Sequence, residues 1–79
     1  MAPPLRFGIV HDFRRPPGSD ITMPQVYAET FEQIELAESL GYELCWFTEH
    51  HFMEDGYLPN FVPVAAAAAA KTTRMRFST

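Results

Sequence analysis

One amphipathic helix between two short apolar segments is the feature that most constrains the fold of this 79-residue chain. Thr22 is placed to cap the helix, Pro24 is tolerated in the first turn, and Gln25 completes a capping box. Gly41 supplies the left-handed residue that ends it. Apolar side chains recur at helical spacing at Tyr27, Phe31, Ile34, Ala37 and Leu40. Acidic residues form the other side, which we interpret as solvated and not as a metal site: Glu29, Glu32, Glu35 and Glu38.

The segments on either side of this helix have the patterns of β-strands. Residues 5–10 alternate, with Leu5, Phe7 and Ile9 on one face, and Gly8 permits close approach by a neighbour. Residues 42–48 are short, apolar and aromatic, as is typical of a buried strand. Residues 74–78 alternate again, which predicts a third strand at the end of the chain.

A second helix is predicted between the second and third strands. Asn60 is placed to cap it, Pro63 falls in its first turn, and the alanines at 65–70 have high helix propensity. A low-complexity tail is the alternative interpretation of that alanine run. Loops are predicted at 11–20 and at 49–59, where Asp55-Gly56 indicates a turn. The predicted class is therefore α/β in the order β-α-β-α-β, with parallel strands and right-handed crossovers.

Composition excludes some classes of function. A formal charge of −4 and a pI near 5.2 give no electrostatic basis for binding nucleic acid. The single cysteine, Cys45, cannot form an internal disulfide, and we expect a buried thiol in a reducing compartment. No apolar stretch reaches membrane-spanning length, so we expect a cytoplasmic protein with no membrane partner.

Ionisable side chains follow the first two predicted strands. His11 and Asp12 come after the first strand, and Glu49, His50 and His51 come after the second. Because parallel strands end at the same edge of a sheet, we expect all five at the edge where α/β proteins usually carry their chemistry.

Three interpretations of these groups stay open on spacing alone. His50 can be a general acid or base, or a hydrogen-bond donor to a cofactor, with Glu49 orienting it or balancing its charge. A metal site formed by His11, His50 or His51 with an acid is disfavoured, because adjacent residues of an extended strand point to opposite faces. The histidines can also be structural, one of them donating to a backbone carbonyl and packing beneath Phe52.

The sequence resembles the N-terminal part of the luciferase-like monooxygenase superfamily, of the bacterial luciferase type. The resemblance covers nearly the whole chain in the order and spacing of the family. It rests on four stretches: Arg6-Phe7-Gly8-Ile9; Glu35-Leu36-Ala37-Glu38-Ser39-Leu40-Gly41-Tyr42; Cys45-Trp46-Phe47-Thr48-Glu49-His50-His51-Phe52 followed by Asp55-Gly56-Tyr57; and Ala70-Lys71-Thr72-Thr73-Arg74-Met75-Arg76-Phe77.

The resemblance implies a (β/α)8 TIM-type barrel that binds reduced FMN or coenzyme F420 at its C-terminal face and oxidises a small organic substrate. It implies catalytic roles for His50, His51 and Glu49, cofactor contacts from Glu49 and His50, and no metal. It also implies a homo- or heterodimer, in which residues 65–70 are a possible contact. Ser78 departs from the family, which usually has glycine where the backbone approaches the flavin.

The chain ends at Thr79, inside the third predicted strand, whereas a closed eight-stranded barrel typically needs about 250 residues. We therefore expect residues 1–79 to form an N-terminal fragment of a luciferase-like (β/α)8 domain. The parent enzyme would be a flavin- or F420-dependent monooxygenase or oxidoreductase, and the fragment alone would be inactive and bind cofactor weakly or not at all. The alternative is a non-catalytic remnant or partner module that pairs its third strand or alanine helix with a longer chain. A zinc hydrolase barrel is a more remote alternative.

Overall fold

A computed structural model describes residues 4–52 and 58–79. Its elements are β1 (Gly8–His11), α1 (Met23–Ser39), β2 (Leu44–Phe47), α2 (Phe61–Lys71) and β3 (Arg76–Ser78). The strands form one sheet in the order β1-β2-β3, and both neighbouring pairs are parallel. The α/β class and the β-α-β-α-β order are confirmed. The predicted Asp55-Gly56 turn lies outside the described residues.

Local capping signals determine where both helices begin. Thr22 Oγ1 accepts from the backbone N–H of Gln25 at 3.3 Å, and Gln25 Oε1 accepts from that of Thr22 at 2.8 Å, which confirms the capping box. Asn60 Oδ1 accepts from the backbone N–H of Val62 at 3.1 Å, so the alanine run belongs to a capped helix and not to a tail. Gly41 follows Leu40, the C-cap of α1, and has φ +94°, as predicted for the left-handed residue that ends this helix.

The buried stripe of α1 is rotated from the predicted one. Leu40 was expected in the stripe but is 68% exposed. The buried positions of the helix are Val26, Thr30, Ile34 and Ala37, while Tyr27 and Phe31 are half-buried. Leu40 is the C-cap residue and lies one position beyond the last residue of α1, so it does not continue the buried stripe.

The strands are shorter than their sequence patterns predict. β1 begins at Gly8 and includes His11, so Leu5, predicted within the first strand, is 85% exposed. The ladder register starts at the pair Gly8 and Leu44, and a Cβ at Gly8 would lie 3.0 Å from the Leu44 carbonyl oxygen. Glycine is therefore needed there for the close approach that the sequence predicted.

The two faces of the sheet have different environments. Ile9, Cys45, Phe47 and Phe77 alternate onto the face that α1 and α2 cover, and Phe47 stacks on Phe77 with ring centroids 5.9 Å apart. Burial raises the pKa of the Cys45 thiol to about 12, which agrees with the predicted structural role.

The opposite face is open. It exposes 57% of Val10 and 48% of Trp46, and an open cavity of about 530 Å³ lies over it. Within the described part of the chain, no helix is both long and apolar enough to cross a bilayer.

Candidate functional site

A side-chain hydrogen bond joins the carboxyl ends of the first two strands. Thr48 Oγ1 donates to Asp12 Oδ1 at 2.6 Å, and the backbone N–H of Thr48 donates to the carbonyl of His11 at 3.3 Å. β1 and β2 therefore end at one edge of the sheet, as predicted from their parallel order. Thr48 was not predicted as a site residue. The signal that could have indicated it is a hydroxyl at the end of a predicted strand, where the neighbouring strand is followed by an aspartate.

The Glu49 carboxylate is directed at the start of α2. Its Oε1 accepts from the backbone N–H of Phe61, the first residue of that helix, at 3.0 Å. The first-turn N–H groups of a helix have no partner within the helix, and a negative charge is favourable there. Glu49 and Asn60 thus satisfy two successive donors of α2.

His51 joins the same cluster through one ring nitrogen. Its Nε2 lies 2.8 Å from the carbonyl oxygen of Pro59 and 3.3 Å from Glu49 Oε2. This is the carbonyl contact that the structural interpretation expected of one histidine. Phe52 does not cover the ring, because it meets His51 edge-on at 6.5 Å between centroids and is itself fully exposed.

His50 lies between these two residues, and its side chain is exposed at the edge of the sheet. Its backbone N–H donates to the carbonyl of Leu58 at 2.8 Å, and Leu58 is buried in the core. Residues 49–51 are thereby joined to residues 58–61 by backbone and side-chain bonds. We name residues 48–51 together with Asp12 the histidine rim.

His11 occupies a different environment from the other two histidines. It is the last residue of β1, and its Nε2 is buried with no hydrogen-bond partner within residues 4–52 and 58–79. Burial lowers the pKa of His11, and the nearby charge of Asp12 opposes this only in part. His11 is therefore half-buried with its Nε2 inside the fold, whereas His50 and His51 are exposed on the histidine rim.

Both loops that leave the strands contain a non-glycine residue with left-handed backbone. Phe13 has φ 57° and Phe52 has φ 60°. Such conformations are uncommon outside glycine and are often found beside functional sites. Phe13 is held in this conformation by the core, where its ring lies 4.8 Å from Tyr27 and 5.8 Å from Phe47, measured between centroids.

No three His, Cys, Asp or Glu side chains among residues 4–52 and 58–79 are grouped closely enough to share a metal ion. The contacts of Glu49 and His51 described above go to backbone groups and to each other. The rim thus presents imidazoles and a bound carboxylate, a set of groups suited to proton transfer and hydrogen bonding.

Comparison with known proteins agrees with this arrangement. The family model described as luciferase-like monooxygenase matches residues 5–79, which is nearly the whole chain. No curated protein matches the sequence. The matched segment contains all five strands and helices and the complete histidine rim. The chain belongs to the luciferase-like monooxygenase family.

Proposed function

We propose that this chain provides the first strands and the histidine rim of a flavin- or F420-dependent oxidoreductase that acts on a small organic substrate. The observation that carries the proposal is the exposure of His50 and His51 at the carboxyl edge of two parallel strands in a chain of this family. Ligands of α/β proteins typically bind at this edge.

The groups present fit one side of a flavin-type ring. Such a ring has flat apolar surfaces and a polar edge that both donates and accepts hydrogen bonds. The open sheet face offers the apolar surfaces of Val10 and Trp46, and the adjoining rim offers the two imidazoles. His50 and Glu49 would make the polar contacts, and the bound cofactor would supply the redox chemistry.

Proton transfer and the positioning of the site would depend on side chains of this chain. His50 would hold or release a proton at its imidazole, as a general acid or base does. The bond between Asp12 and Thr48 keeps the ends of the strands together, so the rim has a fixed position. Glu49 bonds to the first residue of α2 and His51 contacts the Pro59 carbonyl just before that helix. His50 therefore lies between two neighbours whose side chains are held in place.

We also propose that residues 1–79 form the first part of a (β/α)8 domain. Three parallel strands whose two described helices lie on the same face have the arrangement of a barrel wall. Val10 and Trp46 face the side that a closed barrel would fill with side chains from other strands.

A segment exchange tests the proposed function. Residues 5–79 would replace the matching segment of an active luciferase-like enzyme, and FMN- or F420-dependent turnover would be measured. We expect turnover to persist with the natural segment and to fall about 10²- to 10⁴-fold with His50→Ala, because positioned acid–base groups contribute about that much.

Glu35→Gln in the same chimera is the control, since Glu35 lies on the exposed side of α1. Circular dichroism would check that every variant is folded. Unchanged turnover in a folded His50→Ala chimera would show that His50 has no catalytic role.

A second candidate is a non-catalytic module that assembles with another chain. Among residues 4–52 and 58–79, no strand pairs with the outer side of β1 or β3 and no helix covers the face of Val10 and Trp46. Such exposed edges invite pairing, which favours this function. A chimera that folds but has no turnover, together with a 79-residue chain that forms defined oligomers by light scattering, would favour this function.

A further inference from the structure

Both oxygens of the Glu49 carboxylate have a hydrogen-bonding nitrogen nearby. Oε1 accepts from the backbone N–H of Phe61 at 3.0 Å, and Oε2 lies 3.3 Å from His51 Nε2. The Glu49 side chain is one-third exposed, whereas that of His51 is more than half exposed. One side chain thus contacts both α2 and one histidine of the rim.

The surroundings of His51 determine which ring nitrogen carries the proton. Nε2 faces the Pro59 carbonyl at 2.8 Å and the Glu49 carboxylate at 3.3 Å. A carbonyl and an ionised carboxylate can only accept hydrogen bonds, so Nε2 must donate. A neutral imidazole has one N–H, and therefore its Nδ1 carries the lone pair.

We propose that Glu49 is a positioning residue that, together with the Pro59 carbonyl, holds His51 in the Nε2–H form, so that Nδ1 is the basic nitrogen that His51 offers on the rim. An acid that holds one imidazole nitrogen while the other does the chemistry is a recurrent arrangement in enzymes. The same carboxylate holds α2 and so keeps the ring at a set distance from the helix. Only the use of Nδ1 by a ligand rests on the proposed function.

The lone pair on Nδ1 determines which ligand groups can bond to His51. A lone pair on Nδ1 accepts a hydrogen bond from a ring N–H or a hydroxyl of the ligand, and it does not donate one to a carbonyl. Ligands with an N–H or O–H donor at the matching position are therefore favoured at residue 51.

Ring-nitrogen NMR of the 79-residue chain tests the tautomer directly and needs no cofactor. At a pH of about 8, above the usual imidazole pKa, long-range proton–nitrogen correlations distinguish the two neutral forms. We expect His51 to show a protonated Nε2 and an unprotonated Nδ1. Predominance of the Nδ1–H form would overturn the proposal.

Glu49→Gln tests the role of Glu49. A glutamine has only one acceptor oxygen for the two donors, and its NH₂ would face an N–H of the ring. Because the Pro59 carbonyl still faces Nε2, we expect the Nε2–H form to persist but to be joined by the Nδ1–H form, with weaker protection of the Phe61 amide from hydrogen exchange. Glu35→Gln is the matched control and should leave His51 unchanged.

Unchanged His51 tautomer in Glu49→Gln would overturn the positioning role. Should that variant fail to fold, Glu49→Asp keeps the charge with a side chain one methylene shorter, and the same loss of a single form is expected. The expected tautomer in a chain whose chimera lacks turnover would refute only the proposed function. The opposite tautomer in an active chimera would refute only this inference.

Discussion

At the scale of single residues, burial separates one histidine from the other two. His50 and His51 are exposed, whereas His11 has a buried Nε2 for which residues 4–52 and 58–79 provide no hydrogen-bond partner. A buried polar atom without a partner costs free energy, and adding a proton would put an unpaired charge in the same place. Asp12 is the charged neighbour that partly offsets this cost.

His11 should make the chain sensitive to acid. Burial lowers its pKa below the ordinary 6.5, so the unfolded chain binds the proton first and acid favours unfolding. We expect the His11 contribution to the free energy of unfolding to be constant above pH 6.5 and to turn unfavourable as the pH falls from there towards the lower pKa of the folded state. Urea titrations at a series of pH values measure this.

His11→Phe should flatten that dependence, because a phenyl ring fills the space without titrating. His50→Gln is the control, since its side chain is exposed, and it should keep the His11 contribution. An acid response in His11→Phe as steep as that of the natural chain would show that His11 is not the cause.

At the scale of elements, one glutamate joins the end of α1 to the loop before β3. The Glu38 carboxylate accepts from the successive backbone N–H groups of Thr73, Arg74 and Met75, with Met75 N at 2.7 Å. Arg74 in turn donates a guanidinium N–H to the Glu38 carbonyl at 2.6 Å. These hydrogen bonds, of which the backbone N–H of Arg74 is the largest influence, lower the pKa of Glu38.

Glu38→Gln should lower the melting temperature more than Glu35→Gln does, although both are glutamates of the same helix. An amide offers one acceptor oxygen to three converging N–H groups, so the loop loses partners. Since the pKa of Glu38 is lowered from 4.5, its contribution is present above that pH and is lost as the pH falls further. Thermal unfolding at pH 7 and pH 3 checks both statements, and equal melting temperatures for the two variants would contradict them.

The sequence predicted those features of the elements that depend on neighbouring residues. The Thr22 and Asn60 caps and the Gly41 stop need partners within a few positions, and all three were recognised. Glu38 was interpreted as part of a solvated surface because its partners lie 35 to 37 positions away in the chain. The strand ends were misplaced for the same reason, since pairing determines where a ladder stops.

The histidine rim was predictable to a similar extent. Its place at one sheet edge followed from the parallel order, but the partners of Glu49 did not. The contacts of Glu49 with His51 and with Phe61 were not predicted. Glu49 and Phe61 are 12 positions apart in the chain, and a contact between a loop and a helix start produces no periodic pattern in the sequence.

At the scale of the whole molecule, coverage of the sheet is one-sided. Both helices pack on the face that carries Cys45 and Phe47, and the other face exposes Val10 and Trp46. Exposed apolar surface of this kind marks an interaction site or a tendency to associate.

Trp46 reports on that face, because it is the single tryptophan of the chain. We expect red-shifted emission that iodide or acrylamide quenches readily in dilute solution, since the side chain is half-exposed. Quenching should weaken as protein concentration rises if copies associate through this face. Phe52→Ser is a control for association through the exposed Phe52 ring next to the rim and should leave the concentration dependence unchanged. Blue-shifted, protected emission from a dilute monomer would contradict the open face.

The position of Cys45 in the central strand has a practical consequence. The thiol is fully buried and its pKa is raised to about 12, so a thiol-specific reagent in the solvent meets no reactive sulfur while the sheet is intact. The rate at which the chain becomes labelled therefore measures how often its interior opens. The native Cys45 sulfur thus reports on spontaneous opening of the fold without any engineered probe.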